Sequence, residues 1–181
     1  DSGVWSKGEA LSINSENYSV KNPAVSPDGK LLFFASDMAG GMGKFDIYMA
    51  PINKDGSVGE PSNLGQKLNT EGQEMFPFVS ADNTLYFSSD GHLGLGGMDV
   101  FFTKLVDGKV GPIRNVGIPV NGNADDFAFS INNETGEGLV SSNREGGAGS
   151  DDVYIVKVLK PICDVLVLSL IHISEPTRHV D

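Results

Sequence analysis

The chain has 181 residues, with 24 acidic against 13 basic side chains and a formal net charge of −11. No run of Lys or Arg forms a patch, which argues against nucleic-acid binding by counterion release, and the acidity reads as a solvated surface. A lone cysteine, Cys163, excludes an intramolecular disulfide, and the longest apolar run, nine residues at 165–173, is too short for a membrane-spanning helix. No signal-peptide pattern precedes the first element, and the chain starts at Asp1 rather than Met, so its N-terminus is expected to be processed or cut.

In chain order, residues 3–14 (GVWSKGEALSIN) read as a turn-rich connector that returns at 56–69 and 108–121. Asn14, Asn69 and Asn121 close the three copies. Each copy carries glycine and a small apolar group, as expected for the outer strand of a sheet and its turn, with Trp5, Val58 and Val110 as packed anchors. A short strand follows: NPAVS at 22–26, FPFVS at 76–80 and DFAFS at 126–130. The turns after it, SPDGK, SADNT and SINNETGEG, use residues that tolerate tight or left-handed backbone. Next come KLLFFASD, TLYFSSD and GLVSSN, apolar on both faces, as strands are when both sides of their sheet are covered. A glycine-rich loop leads to a last strand, DIYMAPI, DVFFTKL or DVYIVKV, rich in β-branched and aromatic residues.

The loop stretch fixes the period. It reads ASDMAGGMGKFDIYM from Ala35, SSDGHLGLGGMDVFF from Ser88 and SSNREGGAGSDDVYIV from Ser141. Ser36, Ser89 and Ser142 lie 53 residues apart, and so do Asp46, Asp99 and Asp152. A period of this length with no helical periodicity predicts an all-β, partial β-propeller of about three four-stranded blades, the repeats filling 1–158 as units of about 3–55, 56–107 and 108–158. Closed propellers have four to eight blades, so further blades are expected upstream of Asp1, and an apolar blade face is expected at the open end.

The chemistry-bearing residues have plain structural readings. Asp46, Asp99 and Asp152, with Ser36, Ser89 and Ser142, are expected to close the glycine loops by accepting backbone N–H bonds. The alternative is cation binding by the oxygen-rich loops 90–99 and 121–126, which calcium would accept although the EF-hand spacing is absent. His92, the only histidine before the tail, has no neighbouring partner for general-base work and is expected to be solvated or loop-packed. No nucleophile elbow, zinc-binding helix motif or Cys–His pairing occurs, so no catalytic residue, metal or cofactor is assigned and a non-enzyme is expected. Met38, Met42, Met75 and Met98 are expected to fill gaps between blades, the other reading being a plastic binding surface. The copies differ most at His92, Leu95 and Arg144, which are therefore the candidates for partner binding.

The SPDGK turn at 26–30, the repeated serine–aspartate pair and the DIY or DVY strands resemble the TolB-type propeller repeat. More narrowly, residues 74–101 and 125–154 are similar to repeats in OmpA-family envelope proteins of the Bacteroidetes type, including the PorE-like component of type IX secretion. The resemblance covers 3 to about 158. It implies a periplasmic, outer-membrane-associated binding or scaffold module that engages protein partners in the cell envelope, with peptidoglycan bound only through a domain this sequence does not contain. The alternative is a propeller accessory domain of a prolyl-oligopeptidase-like hydrolase or a carbohydrate-active protein. Residues 159–168 (LKPICDVLVL) resemble the opening of the β domain that follows such propellers. The remainder, 169–181, resembles a translated sequencing adapter and is expected to be non-native, so His172, Arg178 and His179 carry no functional weight.

Overall fold

The computed structural model describes residues 3–106 and 108–159. The start expected for a following β domain thus falls outside the described residues beyond Leu159, and the tail at 169–181 does so entirely. Every regular element described is a strand, grouped in three antiparallel sheets. The first runs β1 (Val20–Val25), β2 (Leu31–Ser36), β3 (Asp46–Pro51) and β4 (Ser62–Asn63) in that order. The second runs β5 (Glu74–Val79), β6 (Thr84–Ser89), β7 (Asp99–Val106) and β8 (Lys109–Val110), with β9 (Arg114–Asn115) also on β7. The third holds β10 (Asp126–Asn132), β11 (Glu137–Ser142) and β12 (Asp152–Lys157). This is a partial β-propeller, the fold class that the repeat predicts.

The first strands of the sheets, β1, β5 and β10, lie side by side and line a funnel at the propeller axis. Each carries a β-bulge, where the register shifts between Lys21 and Ala24, Met75 and Phe78, and Phe127 and Ser130. A non-glycine residue at each bulge takes left-handed backbone: Asn22 (φ 53°), Phe76 (φ 53°) and Ala128 (φ 54°). Such a conformation costs an L-residue about 1–2 kcal/mol, so packing around the axis must over-determine it. The glycine loops join the second and third strands, which are the middle pair of each blade. The outer strands β4 and β9 come from the connector that follows a blade, so each connector completes one sheet before crossing to the next.

Burial explains the two-faced apolar strands. Phe33 and Ile47 on one blade pack against Leu85, Phe87 and Phe101 on the next, all nearly fully buried. Val100 repeats the arrangement against Phe129 and Val140. Burying each such side chain contributes about 1.5–3 kcal/mol. Strand β2 is therefore buried on both faces, whereas β11 alternates, leaving Leu139 exposed. Together with Val153 and Ile155 it forms the open apolar face of the third blade.

Trp5 departs from expectation, since it is 96% exposed rather than packed. Its counterpart Val58 bridges Ile52, six residues earlier, and Val110 pairs with Leu105.

Candidate functional site

The chemistry-bearing side chains gather at the glycine-loop end of the blades, where three loops repeat one hydrogen-bond scheme. Asp46 Oδ2 accepts from Met42 N at 2.7 Å and Oδ1 from Gly43 N at 3.0 Å. Asp99 takes both equivalent bonds on Oδ2, from Leu95 N at 2.6 Å and Gly96 N at 3.1 Å. Asp152 Oδ2 accepts from Gly149 N at 3.1 Å. At the other end of each loop, the hydroxyls of Ser36, Ser89 and Ser142 accept from the amide two residues on, Met38, Gly91 and Arg144. Tight loops leave amides unpaired, and these short side chains satisfy them.

A third repeated residue was visible in the sequence only as a period and not as a role. Asn69 and Asn121, each closing a connector, are 1% exposed and reach across to β3 and β7, the third strands of the blades just left. Asn69 pairs with both backbone groups of Ile47, and Asn121 with both of Val100. Each also donates to a connector asparagine, Asn63 or Asn115, which caps its own turn. The fixed spacing of these asparagines was the signal.

Two buried carboxylates open the axial strands. Glu74 is fully buried and accepts from Thr70 N (2.8 Å), Thr70 Oγ1 (2.7 Å) and Ser89 Oγ (2.6 Å). Asp126, also fully buried, accepts from Gly122 N at 2.6 Å and pairs with Arg144 Nη2 at 2.5 Å. Arg144 further donates to the carbonyls of Pro119 and Val120. His92 Nε2 donates in the same manner to the Leu68 carbonyl at 2.7 Å, its ring 5.1 Å from that of Phe101. His92 and Arg144 therefore latch their loops onto the preceding connector, and Leu95, 53% exposed, faces solvent. Of the methionines, Met98 is buried and Met38 packs against the first blade's core, while Met42 is 41% exposed. Burial raises the Tyr48 hydroxyl above its usual pKa, and that hydroxyl donates to the Met38 carbonyl.

Between the second and third blades, at this same end, lies a cleft of about 400 Å3. Its apolar lining is Met75, Phe76, Met98 and Phe127, with the Phe76 and Phe127 rings 5.2 Å apart. Asp90, Asp125 and Asp151 stand around it. Asp90 accepts from Gln73 N and Nε2, and Asp125 from Met98 N and Asn143 Nδ2. Among the described residues none of the three makes an ion pair.

The fold is TolB-like. TolB of Acinetobacter baumannii matches with a TM-score of 0.51 and 14% identity, over 75% of this chain and 29% of that one. Prolyl oligopeptidase B of Galerina marginata, bound to a 35mer hydrolysis and macrocyclization substrate, matches with a TM-score of 0.52 and 16% identity, over 81% of this chain and 19% of that one. The chain thus spans less than a third of either protein, and at these identities the likeness is one of fold. No protein-family model and no curated protein matches the sequence. The TolB-like arrangement accounts for the site's location, because the loops between middle strands all emerge at one end of a propeller.

Proposed function

We propose that this chain is a non-enzymatic binding and scaffold module of a periplasmic, outer-membrane-associated protein of the OmpA family, related to type IX secretion. The observation that carries the reading is how the loop residues are spent. Asp46, Asp99, Asp152, His92 and Arg144 all bond to the chain's own backbone, so they shape a rigid surface instead of presenting reactive groups. Rigid loops on a propeller serve recognition, because a preorganised surface loses little entropy on binding. The TolB-like fold and the similarity of residues 74–101 and 125–154 to envelope-protein repeats support the compartment and the family.

The likeness to prolyl oligopeptidase B favours a second reading, a propeller attached to a hydrolase. The two are separated by sequencing the parent gene downstream of the propeller. An OmpA-like domain is the expected result, and an α/β-hydrolase domain with a nucleophile elbow would overturn the first reading. Fractionation of cells carrying the parent gene is expected to place the protein with the outer membrane.

A further inference from the structure

The first blade shows what the loop-end cleft is suited to hold. Lys21, the second residue of β1, places its ammonium 3.4 Å from the centroid of the Phe45 ring. Phe45 immediately precedes the loop aspartate Asp46. The repeat puts Met75 and Phe127 at the position of Lys21, and Met98 and Asp151 at that of Phe45. The second blade thus puts two methionines at these positions and the third a phenylalanine and an aspartate, so neither carries the cation of the first. Instead the Phe76 and Phe127 rings, tilted 32° to each other, line the cleft, ringed by Asp90, Asp125 and Asp151, none of which has a counter-charge among the described residues.

We propose that this cleft binds a basic, apolar-flanked peptide segment of a partner protein, with a lysine or arginine side chain over Phe76 and Phe127 and its charge facing the three aspartates. The proposal rests on the binding-module reading and names the chemistry of its partner. Charge and shape both favour such an occupant. An aromatic face attracts a cation, more strongly when partly desolvated, and methionines adapt to varied apolar neighbours. The chain's net charge of −11 adds long-range attraction for a basic segment.

The test uses the full chain and a fluorescein-labelled hexapeptide of alternating arginine and phenylalanine, read by fluorescence anisotropy. Saturable binding is expected, weakening about tenfold between low salt and about 0.5 M salt as the charges are screened. Met75→Lys installs the resident cation of the first blade and is expected to weaken binding by about tenfold. Asp151→Lys, at an exposed position, is expected to weaken it about threefold without disturbing the fold. Equal binding of a glutamate–phenylalanine peptide, or unchanged affinity in both variants, would overturn the proposal. Full competition by spermidine, which has the charge without the apolar groups, would overturn the peptide in favour of a small polycation. Cross-linking in the cell envelope reads the scaffold reading separately: wild type and Met75→Lys captured equally by one envelope protein would remove the cleft and leave the scaffold standing.

Discussion

Asn69 clasps Ile47 from 22 residues away, its Oδ1 accepting from Ile47 N at 2.8 Å and its Nδ2 donating to Ile47 O at 3.0 Å. Asn121 does the same to Val100, at 2.8 Å for both bonds. The side-chain amide here satisfies a buried backbone donor that the sheet edge would otherwise leave unpaired, and shares the carbonyl with Leu64 N at Ile47 and with Val116 N at Val100. Asn121→Ala is therefore expected to destabilise the chain by about 2 kcal/mol, because the buried Val100 N loses its partner while Val100 O keeps its bond from Val116 N. A urea titration monitored by tyrosine fluorescence would measure it.

The loop aspartates differ in how they tolerate an amide. Asp46 uses both oxygens, and its Oδ2 also accepts from Asn63 Nδ2 at 2.7 Å. Asp99 makes both loop bonds through Oδ2 and leaves Oδ1 buried without a partner. Asp46→Asn must orphan at least one donor and is expected to cost about 2 kcal/mol, whereas Asp99→Asn keeps both loop bonds and is expected to cost less than about 1 kcal/mol. Equal losses in thermal denaturation would contradict the asymmetry.

Gly43 and Gly96 occupy the same loop position and face the connector to the next blade. A Cβ on Gly43 would lie 2.2 Å from the Gly72 carbonyl oxygen, and one on Gly96 would lie 2.0 Å from that of Ala124. At Gly149, the third copy, the nearest atom is 3.5 Å away. Gly43→Ala and Gly96→Ala are each expected to destabilise by about 2–3 kcal/mol through displaced backbone, with Gly149→Ala within about 0.5 kcal/mol of wild type. Melting temperatures of the three variants decide it.

Asp82 closes the turn between β5 and β6 and accepts from Lys104 Nζ at 2.5 Å, from Ser80 and from Thr84. The Lys104 hydrogen bond, with those from Ser80 and Thr84, holds its carboxyl far below the usual range. A depressed folded-state pKa contributes stability above the unfolded value of about 3.9 and loses it as the pH falls below that value. Both side chains are about half exposed, so the contribution is under about 1 kcal/mol. The stability difference between wild type and Lys104→Met is expected to be largest at neutral pH and to shrink below about pH 4, as urea midpoints across that range would show.

Leu139 and Ile155 stand directly opposite each other on the open face of the third blade, 45% and 79% exposed, with Val153 beside them at 69%. Phe33, the counterpart of Leu139, and Ile47 and Val100, those of Val153, are buried by the next blade, and Met49 and Phe102, those of Ile155, are partly buried. The chain is expected to self-associate with rising concentration through this face, and Ile155→Lys to reduce that association. Light scattering showing monodisperse monomer for the wild type at high concentration would contradict it.

The sequence by itself determined the strands and their repetition. Two-faced apolar runs such as LLFFAS and glycine loops at a fixed period leave few ways to bury those side chains, and stacking like units is the one that covers both faces. The left-handed backbone at Asn22, Phe76 and Ala128 was not legible, because three unrelated residue types share it under the packing at the axis. Nor was the fate of Trp5, whose exposure depends on which strand lies beside it. Only the tertiary structure turned Asn69 and Asn121 from period markers into clamps and drew His92 and Arg144 onto their own connectors. It also set Phe76 beside Phe127 from different blades. The physical reason is common to all of these: strand formation follows from local pattern, whereas a side chain's partner is decided by what the neighbouring blade brings within about 3 Å of it.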